Sequence, residues 1–225
     1  NLTVREGELT MLLGRNGAGK TTTLRTIMGL WKPSQGQVLF DGTVIAGTGL
    51  SLDTPEISRK GIAYVPESMG IFSDLNVKDN MLLAARKART VNDIDTQRLE
   101  WIFELFPALK KFWLYPAGKL SGGQKQMLAV ARAIIEPRRL LLIDEPSKGL
   151  APAIIQNLIN ALNELKKTRT TILLVEQNFN MAKQLGDQVA VMDNGRIVHR
   201  GAMAELAQDQ ALQSQLLGLS LAAHG

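Results

Sequence analysis

The chain has 225 residues, of which 45% are hydrophobic and 21% are charged, enough apolar material to bury the core of one large domain. It has no cysteine and only two histidines, His199 and His224, which excludes disulfides and thiolate metal sites and argues against a histidine metal centre. The formal net charge of +5 is small, and no dense block of Lys and Arg with interleaved aromatics occurs, so we expect no nucleic-acid partner. No apolar run approaches the roughly 20 residues that span a bilayer and no signal peptide opens the chain, so we expect any membrane role to be peripheral.

The first third of the chain alternates strand-like and helical patterns. An apolar run at 9–13 precedes a glycine-rich turn, and a helical pattern follows at 20–30, where Gly and Pro stop it. Short strand-like runs lie at 37–40 and 61–65. A long pattern with apolar residues three or four positions apart then predicts helix over 77–106.

The remainder returns to alternating strands and helices. The stretch 107–120 is irregular, and a helix resumes after Ser121-Gly122-Gly123. Unbroken apolar runs at 140–143 and 171–175 flank a helical pattern at 154–165. Such alternation indicates a parallel sheet covered by helices.

The C-terminal end and the domain organisation complete the prediction. Runs at 189–192 and 196–198 around Asp193-Asn194-Gly195 predict a hairpin, and a helical tail runs on from about Met203. We therefore predict an α/β fold with one domain, whose core comprises about 1–69 and 136–225 and is interrupted by a mostly helical subdomain of about 70–135. Because residue 1 is Asn and lies beside a strand, we expect a further N-terminal strand segment to precede it.

A phosphate-binding loop is predicted between the first strand and the first helix. The segment fits G-x-x-x-x-G-K-[ST] and reads Gly14-Arg15-Asn16-Gly17-Ala18-Gly19-Lys20-Thr21, with Thr22 following. Glycines let backbone N–H groups turn toward phosphates, and the helix N-terminus adds its positive dipole end. Lys20 can reach the β- and γ-phosphates, and Thr21 offers a hydroxyl to Mg²⁺. The alternative is a glycine-rich turn that binds nothing.

Two adjacent acids end the apolar run at 140–143. The carboxyl edge of a sheet is where ligands of open α/β folds lie, so Asp144 and Glu145 are expected near the phosphate loop. Asp144 would hold Mg²⁺, directly or through water, and Glu145 would orient and deprotonate the attacking water. The alternative is a strand that ends in a solvated acidic turn.

A third motif makes a family resemblance specific. Leu120-Ser121-Gly122-Gly123-Gln124 alone would be a helix N-cap with a flexible lead-in. Together with the phosphate loop and the Asp-Glu strand end, in this order, it resembles the signature of ABC ATPases over essentially the whole chain. The resemblance implies a P-loop NTPase (RecA-like) core that binds and hydrolyses ATP with Mg²⁺, with small β elements at its edges. It also implies a head-to-tail pair of subunits, in which Ser121 to Gln124 contact the ATP held by the partner.

Further sequence segments narrow the resemblance to one branch of the family. Tyr64-Val65-Pro66-Glu67, the stretch from Glu145-Pro146-Ser147 to Ala151-Pro152, and Val175-Glu176-Gln177-Asn178 are similar to ATPases of branched-chain (hydrophobic) amino-acid uptake. That branch implies a bacterial or archaeal importer on the cytoplasmic face of the cell membrane, with a second ATPase, two transmembrane permeases and a periplasmic or lipid-anchored solute-binding protein. Urea or short-amide import, and an ABC ATPase without a membrane partner, remain alternatives.

Three positions depart from the usual family pattern. Glu67 replaces a glutamine that touches Mg²⁺ and the attacking water, and its carboxylate can still ligate Mg²⁺. Gln177 replaces a γ-phosphate histidine, and Ala151 replaces an aspartate that crosses the dimer. We therefore expect a heterodimer in which this chain's phosphate loop sits in the less complete site, although a homodimer remains possible for the isolated chain.

Two further features are expected to serve binding or packing. The segment 67–80 would dock a cytoplasmic helix of a permease through Ile71, Phe72 and Leu75, although these side chains could equally pack inside the helical insertion. The aromatic residue that stacks on adenine is expected upstream of residue 1, since Trp31 is the first aromatic in the chain. The cluster at 112–115 is interpreted as packing.

Overall fold

The structure, a computed structural model, describes residues 1–218. Its strands are β1 (Leu9–Leu13), β2 (Gln37–Phe40), β3 (Thr43–Gly47), β4 (Leu50–Ser51), β5 (Ile62–Val65), β6 (Leu140–Asp144), β7 (Thr171–Glu176), β8 (Gln188–Asp193) and β9 (Arg196–Ala202). Its α-helices are α1 (Lys20–Ile27), α2 (Thr54–Arg59), α3 (Val77–Ala84), α4 (Thr96–Leu105), α5 (Pro107–Lys111), α6 (Gly122–Ile134), α7 (Pro152–Lys167), α8 (Phe179–Leu185), α9 (Met203–Gln208) and α10 (Gln210–Leu217). Within these residues, no helix has the length and apolar character needed to cross a membrane.

Six strands form the main sheet in the order β5-β6-β7-β1-β8-β9, and β2, β3 and β4 form a small antiparallel sheet. Neighbouring strands of the main sheet are parallel except for the β8–β9 hairpin. Leu13 lies opposite Glu176, and Asp144 lies opposite Val175. The carboxyl ends of β1, β6 and β7 therefore meet at one edge, as the sequence predicts.

Both faces of the main sheet are covered. Along β1, Met11 and Leu13 belong to one hydrophobic cluster, whereas Leu12 belongs to the other. Since successive side chains of a strand point to opposite faces, the two clusters mark the two faces. This explains why the central strands are continuous apolar runs, and it confirms the predicted α/β architecture.

The helical pattern predicted over 77–106 is wrong in one respect, because it contains a break. Helix α3 ends at Ala84, the next residue Ala85 has extended backbone angles, and a short 3₁₀ turn follows at Val91–Asp93. The Asp93 carboxylate accepts hydrogen bonds from the backbone N–H groups of Arg89 and Thr90, which stabilise this turn. The stretch 107–120, predicted to be irregular, contains the short helix α5, which begins at Pro107.

The elements between β5 and β6 are all helices or 3₁₀ turns in the described part of the chain. Their buried residues, such as Met81, Ile102 and Leu109, belong to the same cluster as one face of the sheet. The shared cluster means that these helices pack directly on the core. The division into a core and a helical subdomain at about residues 70 and 135 stays a proposal.

Candidate functional site

The glycines of the phosphate loop are required by its backbone. A Cβ atom at Gly14 would lie 2.3 Å from the carbonyl oxygen of Met192, so no larger residue fits there. Gly17 and Gly19 have φ values of 80° and 105°, a region that L-residues rarely adopt. Gly19 also precedes the first residue of α1, so the loop leads directly into a helix N-terminus.

The ammonium group of Lys20 lies inside the curve of this loop. It donates hydrogen bonds to the carbonyl oxygens of Gly14 at 2.8 Å and Arg15 at 3.0 Å, and it lies 3.5 Å from the Glu145 carboxylate. The side chain is only 4% exposed. The positive charge of Lys20 is therefore held at the loop, where it could pair with anionic phosphates.

Side-chain oxygen atoms from three elements, α1, β5 and β6, meet near Lys20. The hydroxyl of Thr21 donates to Asp144 Oδ1 at 3.1 Å, and the hydroxyl of Tyr64 donates to Asp144 Oδ2 at 3.3 Å. Burial raises the pKa of Asp144, although both hydrogen bonds oppose the rise. Burial and the Asp144 charge raise the pKa of Tyr64 to about 12, so this hydroxyl stays a donor near neutral pH.

These donors fit a magnesium ion. Mg²⁺ takes oxygen ligands at about 2.1 Å in an octahedron, in which neighbouring ligands are about 3 Å apart. The Thr21 and Asp144 oxygens have that separation, and a bound cation would offset the cost of burying the carboxylate. Within residues 1–218, no group of three or more His, Cys, Asp and Glu side chains forms a self-sufficient metal site. The pair would therefore need phosphate and water oxygens to complete the coordination shell.

Glu145 and Gln177, the residues predicted to act in hydrolysis, lie in contact with each other. Gln177 Nε2 lies 3.0 and 3.1 Å from the two Glu145 carboxylate oxygens and also donates to Asn16 Oδ1 in the phosphate loop. Glu145 is 9% exposed and has a φ of 44°, an uncommon left-handed conformation for a residue other than glycine. Strained backbone of this kind persists where surrounding contacts hold it, which the bond from the Glu145 N–H to Val175 O does at 2.9 Å.

Glu67 lies apart from the Thr21–Asp144 pair. Its carboxylate forms an ion pair with Lys148, which raises the pKa of that lysine, and both side chains are exposed. The Glu67 charge also contributes to the raised pKa of Asp144, after burial and the charge of Glu145. The structure thus brings Thr21 and Asp144 into direct contact but not Glu67, whose role as a Mg²⁺ ligand stays a prediction.

No histidine of the described chain replaces Gln177. His199 lies in β9, opposite Val191 in the C-terminal hairpin. His224 lies outside the described residues.

The Ser-Gly-Gly-Gln segment begins a helix of 13 residues, α6. Ser121 Oγ accepts from the Gln124 N–H at 3.2 Å, and Gln124 Oε1 accepts from the Ser121 N–H at 3.0 Å, which makes a complete capping box. Ser121 and Gly122 are exposed, whereas Gly123 is buried. The exposed start of a long helix can present N–H groups to an anion, as the proposed contact with the partner's ATP requires.

We expect Gly123→Ala to displace the start of α6 and to lower the melting temperature. A Cβ atom at Gly123 would lie 2.4 Å from Cγ2 of Ile154 in α7, which is closer than two carbon atoms can approach. The cost of such overpacking is about 1–3 kcal/mol, a drop of several degrees for a domain of this size. Thermal unfolding and ATPase rates of the purified variant measure both effects.

Gly122→Ala is the matched control for this prediction. Its added Cβ would meet only Leu150 Cδ2 at 3.8 Å, an ordinary contact, so the melting temperature should stay within about a degree of wild type. Adding Ile154→Ala to Gly123→Ala removes the obstructing methyl groups and should restore the position of α6. If Gly122→Ala and Gly123→Ala destabilise equally, steric crowding against Ile154 is not what requires the glycine.

Sequence reasoning missed three residues that the structure connects to the site. Tyr64 bonds to Asp144, Lys148 pairs with Glu67, and Glu176 accepts three backbone N–H groups. The signal for Glu176 was available, because an acid at the end of an apolar strand is the pattern that identified Asp144. Nothing in the sequence indicates the pairing of Lys148, which lies 81 positions from Glu67.

A groove of about 730 Å³ opens beside β5 and the predicted docking segment. Aromatic, aliphatic and arginine side chains from α1, α3 and α6 and their flanking loops line it, among them Arg25, Leu30, Trp31, Met69, Arg86 and Arg132. Of the predicted docking residues, Phe72 is exposed beneath the Arg132 guanidinium, whereas Ile71 packs against the core.

Comparison with known proteins gives close relatives. The chain is 40% identical over 215 residues to the high-affinity branched-chain amino acid transport ATP-binding protein BraG of Pseudomonas aeruginosa, covering 96% of this chain and 90% of that protein. It is 33% identical to the probable branched-chain amino acid transport ATP-binding protein LivF of Archaeoglobus fulgidus, covering 96% of this chain and 89% of that one. The methionine import ATP-binding protein MetN of Haemophilus ducreyi is 32% identical, with 95% of this chain and 61% of that protein covered.

Solved structures give the same fold. CbiO1 of Clostridium perfringens, part of the ABC transporter complex cbiONQ, matches with a TM-score of 0.79 and 26% identity, covering 98% of this chain and 87% of that chain. The ATP-binding cassette MJ0796, solved as a dimer bound to ADP and Pi, matches with a TM-score of 0.76 and 25% identity over 90% of this chain and 88% of that chain.

The family model described as ABC transporter matches residues 1–148. This match, together with 40% identity to BraG across 96% of the chain, shows that the protein belongs to the ABC transporter family as one of its ATP-binding, ATP-hydrolysing subunits.

Proposed function

We propose that this subunit powers the import of branched-chain or other hydrophobic amino acids across the cytoplasmic membrane. The observation that supports ATP hydrolysis is that Lys20, Asp144 and Glu145 lie together at one edge of the sheet. Each of them is within hydrogen-bond or ion-pair distance of its neighbours. The similarity to BraG and LivF supports hydrophobic amino acids as the imported solutes.

The binding step uses the phosphate loop. Backbone N–H groups of 14–22 would bind the phosphates at the start of α1, and Lys20 would turn from its loop carbonyls toward the β- and γ-phosphates. Thr21 and Asp144 would hold Mg²⁺, which neutralises charge on the phosphates when bound. The position of Lys20 between the loop carbonyls and Glu145 supports this, because its positive charge is already held at the phosphate loop.

The hydrolytic step uses Glu145 and Gln177. Glu145 would accept a proton from the attacking water, and Gln177, between Glu145 and Asn16, would orient the water or the γ-phosphate. Gln177 can donate a hydrogen bond but cannot supply an imidazolium charge, so it would stabilise the transition state less than a histidine does.

The partner ATPase would complete each site. Ser121 to Gln124 at the start of α6 would contact the ATP held by the partner, and ATP would thereby join the two subunits. The dimeric MJ0796 cassette supports such pairing. We propose a heterodimer, since Glu67, Gln177 and Ala151 make this chain's own site the less complete one.

An uptake assay tests the amino-acid assignment. Cells without this gene should lose energy-dependent uptake of leucine, isoleucine and valine, and the wild-type gene should restore it, whereas Lys20→Ala should not. Loss of methionine uptake instead would assign the chain to the function named for MetN. Loss of urea or short-amide uptake with normal leucine uptake would equally overturn the proposal.

The groove beside β5 is the proposed docking site for a permease. Leu30 and Trp31, which line the groove, are large apolar side chains that the described chain leaves about half exposed. Phe72, also about half exposed, lies beneath the groove-lining Arg132. Arginines at the rim, including Arg25 and Arg86, suit a partner segment that carries carboxylates. An amphipathic helix with an acidic rim would satisfy both features.

We expect Leu30→Glu to prevent assembly with the permease subunits. A carboxylate in the apolar part of the groove would be desolvated by a docked helix, at a cost of several kcal/mol. Co-expression with the neighbouring permease genes and affinity purification measures the assembled fraction. Leu114→Glu is the matched control, because Leu114 is 69% exposed, against 50% for Leu30, and does not line the groove. Normal assembly of Leu30→Glu would contradict this docking site.

A further inference from the structure

Glu176 is a buried carboxylate that the steps above do not use. It ends β7, is 2% exposed, and lies opposite Leu13, directly before the phosphate loop. Buried carboxylates are costly unless their oxygens accept hydrogen bonds. In the described residues, both carboxylate oxygens of Glu176 accept hydrogen bonds from backbone N–H groups rather than pairing with a cation.

The three donors come from two different segments. Glu176 Oε1 accepts from the Ser147 N–H at 2.9 Å, in the loop that follows Glu145. Oε2 accepts from the N–H groups of Gln177 at 3.0 Å and Asn178 at 3.1 Å, at the entry to α8. One carboxylate thus joins the segment of the proposed base to the segment of the proposed water-orienting residue.

These bonds close a ring around the hydrolytic side of the site. Gln177 contacts the Glu145 carboxylate through its side chain, and Glu145 leads through two peptide bonds to Ser147. Ser147 returns through Glu176 to the backbone of Gln177. Since the ring contains both residues of the proposed hydrolytic pair, a shift of either segment would change their separation.

We propose that Glu176 is a positioning residue for ATP hydrolysis, which holds Gln177 against Glu145 by fixing the backbone of both segments. This inference rests on the proposed roles of Glu145 and Gln177. Only a carboxylate of this length serves both sides, because each oxygen must accept from a different segment. Glutamine has the same shape, but its NH₂ group donates and would face an N–H group on one side, leaving that donor unsatisfied.

Glu176→Gln should lower the ATP hydrolysis rate about tenfold or more while the KM for ATP changes less than about threefold. The KM should hold because the Glu176 carboxylate bonds to the N–H groups of Ser147, Gln177 and Asn178, whereas Lys20 bonds to the carbonyl groups of the phosphate loop. Rates are measured under single-turnover conditions on the chain alone, so that slow variants remain measurable and turnover at a partner's site does not mask them. Ile172→Val is the stability control, since Ile172 is fully buried at the opposite end of β7.

A double-mutant cycle with Gln177→Ala separates positioning from general destabilisation. If Glu176 acts through Gln177, the effect of Glu176→Gln should fall to about twofold or less once the Gln177 side chain is absent. An equal effect in both backgrounds, or a wild-type rate for Glu176→Gln, would overturn the inference. If Glu176→Gln does not fold, Glu176→Asp enters the same cycle, because it keeps the charge but is too short to reach both segments. Absence of ATPase from the wild-type assembly would instead refute the proposed function itself.

Discussion

In assays of this chain alone, Glu145→Gln is expected to slow ATP hydrolysis by about 10²- to 10⁴-fold and to leave ATP binding intact. The amide has the shape of the carboxylate and can still accept a hydrogen bond from Gln177, but it cannot take a proton from water. The phosphate loop and the Thr21–Asp144 pair are untouched, so nucleotide affinity should change little. Because ATP would persist, the paired subunits should also remain associated, which size-exclusion chromatography with ATP would detect.

Glu164→Gln is the matched control for this variant. Glu164 lies in α7, where it is about half exposed and pairs with Lys167, so the substitution removes the same charge far from the strand end. Its hydrolysis rate should equal that of wild type. If Glu145→Gln also hydrolysed ATP at the wild-type rate, Glu145 would not be the general base.

Most of the fold follows from patterns that depend on local sequence. The runs that became β1, β6 and β7 are apolar over their whole length because both faces of the sheet are covered. The same reasoning places Asp144 and Glu145 beside the phosphate loop, since parallel strands in register end at one edge. These inferences succeed because strand burial and strand direction leave a direct signal in the sequence.

The features that escaped prediction depend on contacts between distant segments or on side chains that end a helix. The periodic pattern of 77–106 is real, but Asp93 and Asp95 bond to backbone N–H groups and begin new turns within it. Glu67 pairs with Lys148, which no local pattern reveals. The sequence alone therefore identifies which residues lie at the edge of the sheet, but not which of them pair there.

The second prediction tests the proposal that the phosphate loop of this chain lies in the less complete site of a heterodimer. In mixed dimers, Lys20→Ala in this chain should reduce ATPase activity about twofold or less, whereas the equivalent change in the partner should reduce it about tenfold or more. The reason is that each phosphate loop serves its own site, and this chain's site has Gln177 in place of a histidine. In this proposal, Ser121 to Gln124 of this chain would complete the partner's site. Steady-state ATPase of purified mixed dimers, with each subunit carrying a different affinity tag, measures both effects.

The effect of Lys20→Ala follows from the contacts that Lys20 makes. Its ammonium satisfies the carbonyl oxygens of Gly14 and Arg15 and lies 3.5 Å from Glu145, so alanine leaves a buried carboxylate without its cation. Nucleotide affinity of the altered loop should fall whichever subunit carries the change, and binding of a fluorescent ATP analogue would verify this in each isolated subunit. Lys167→Ala, at an exposed position in α7, controls for the loss of one positive charge. Equal losses of ATPase from the two mixed dimers would mean that both sites turn over alike, and the altered residues of this chain would then carry no functional asymmetry.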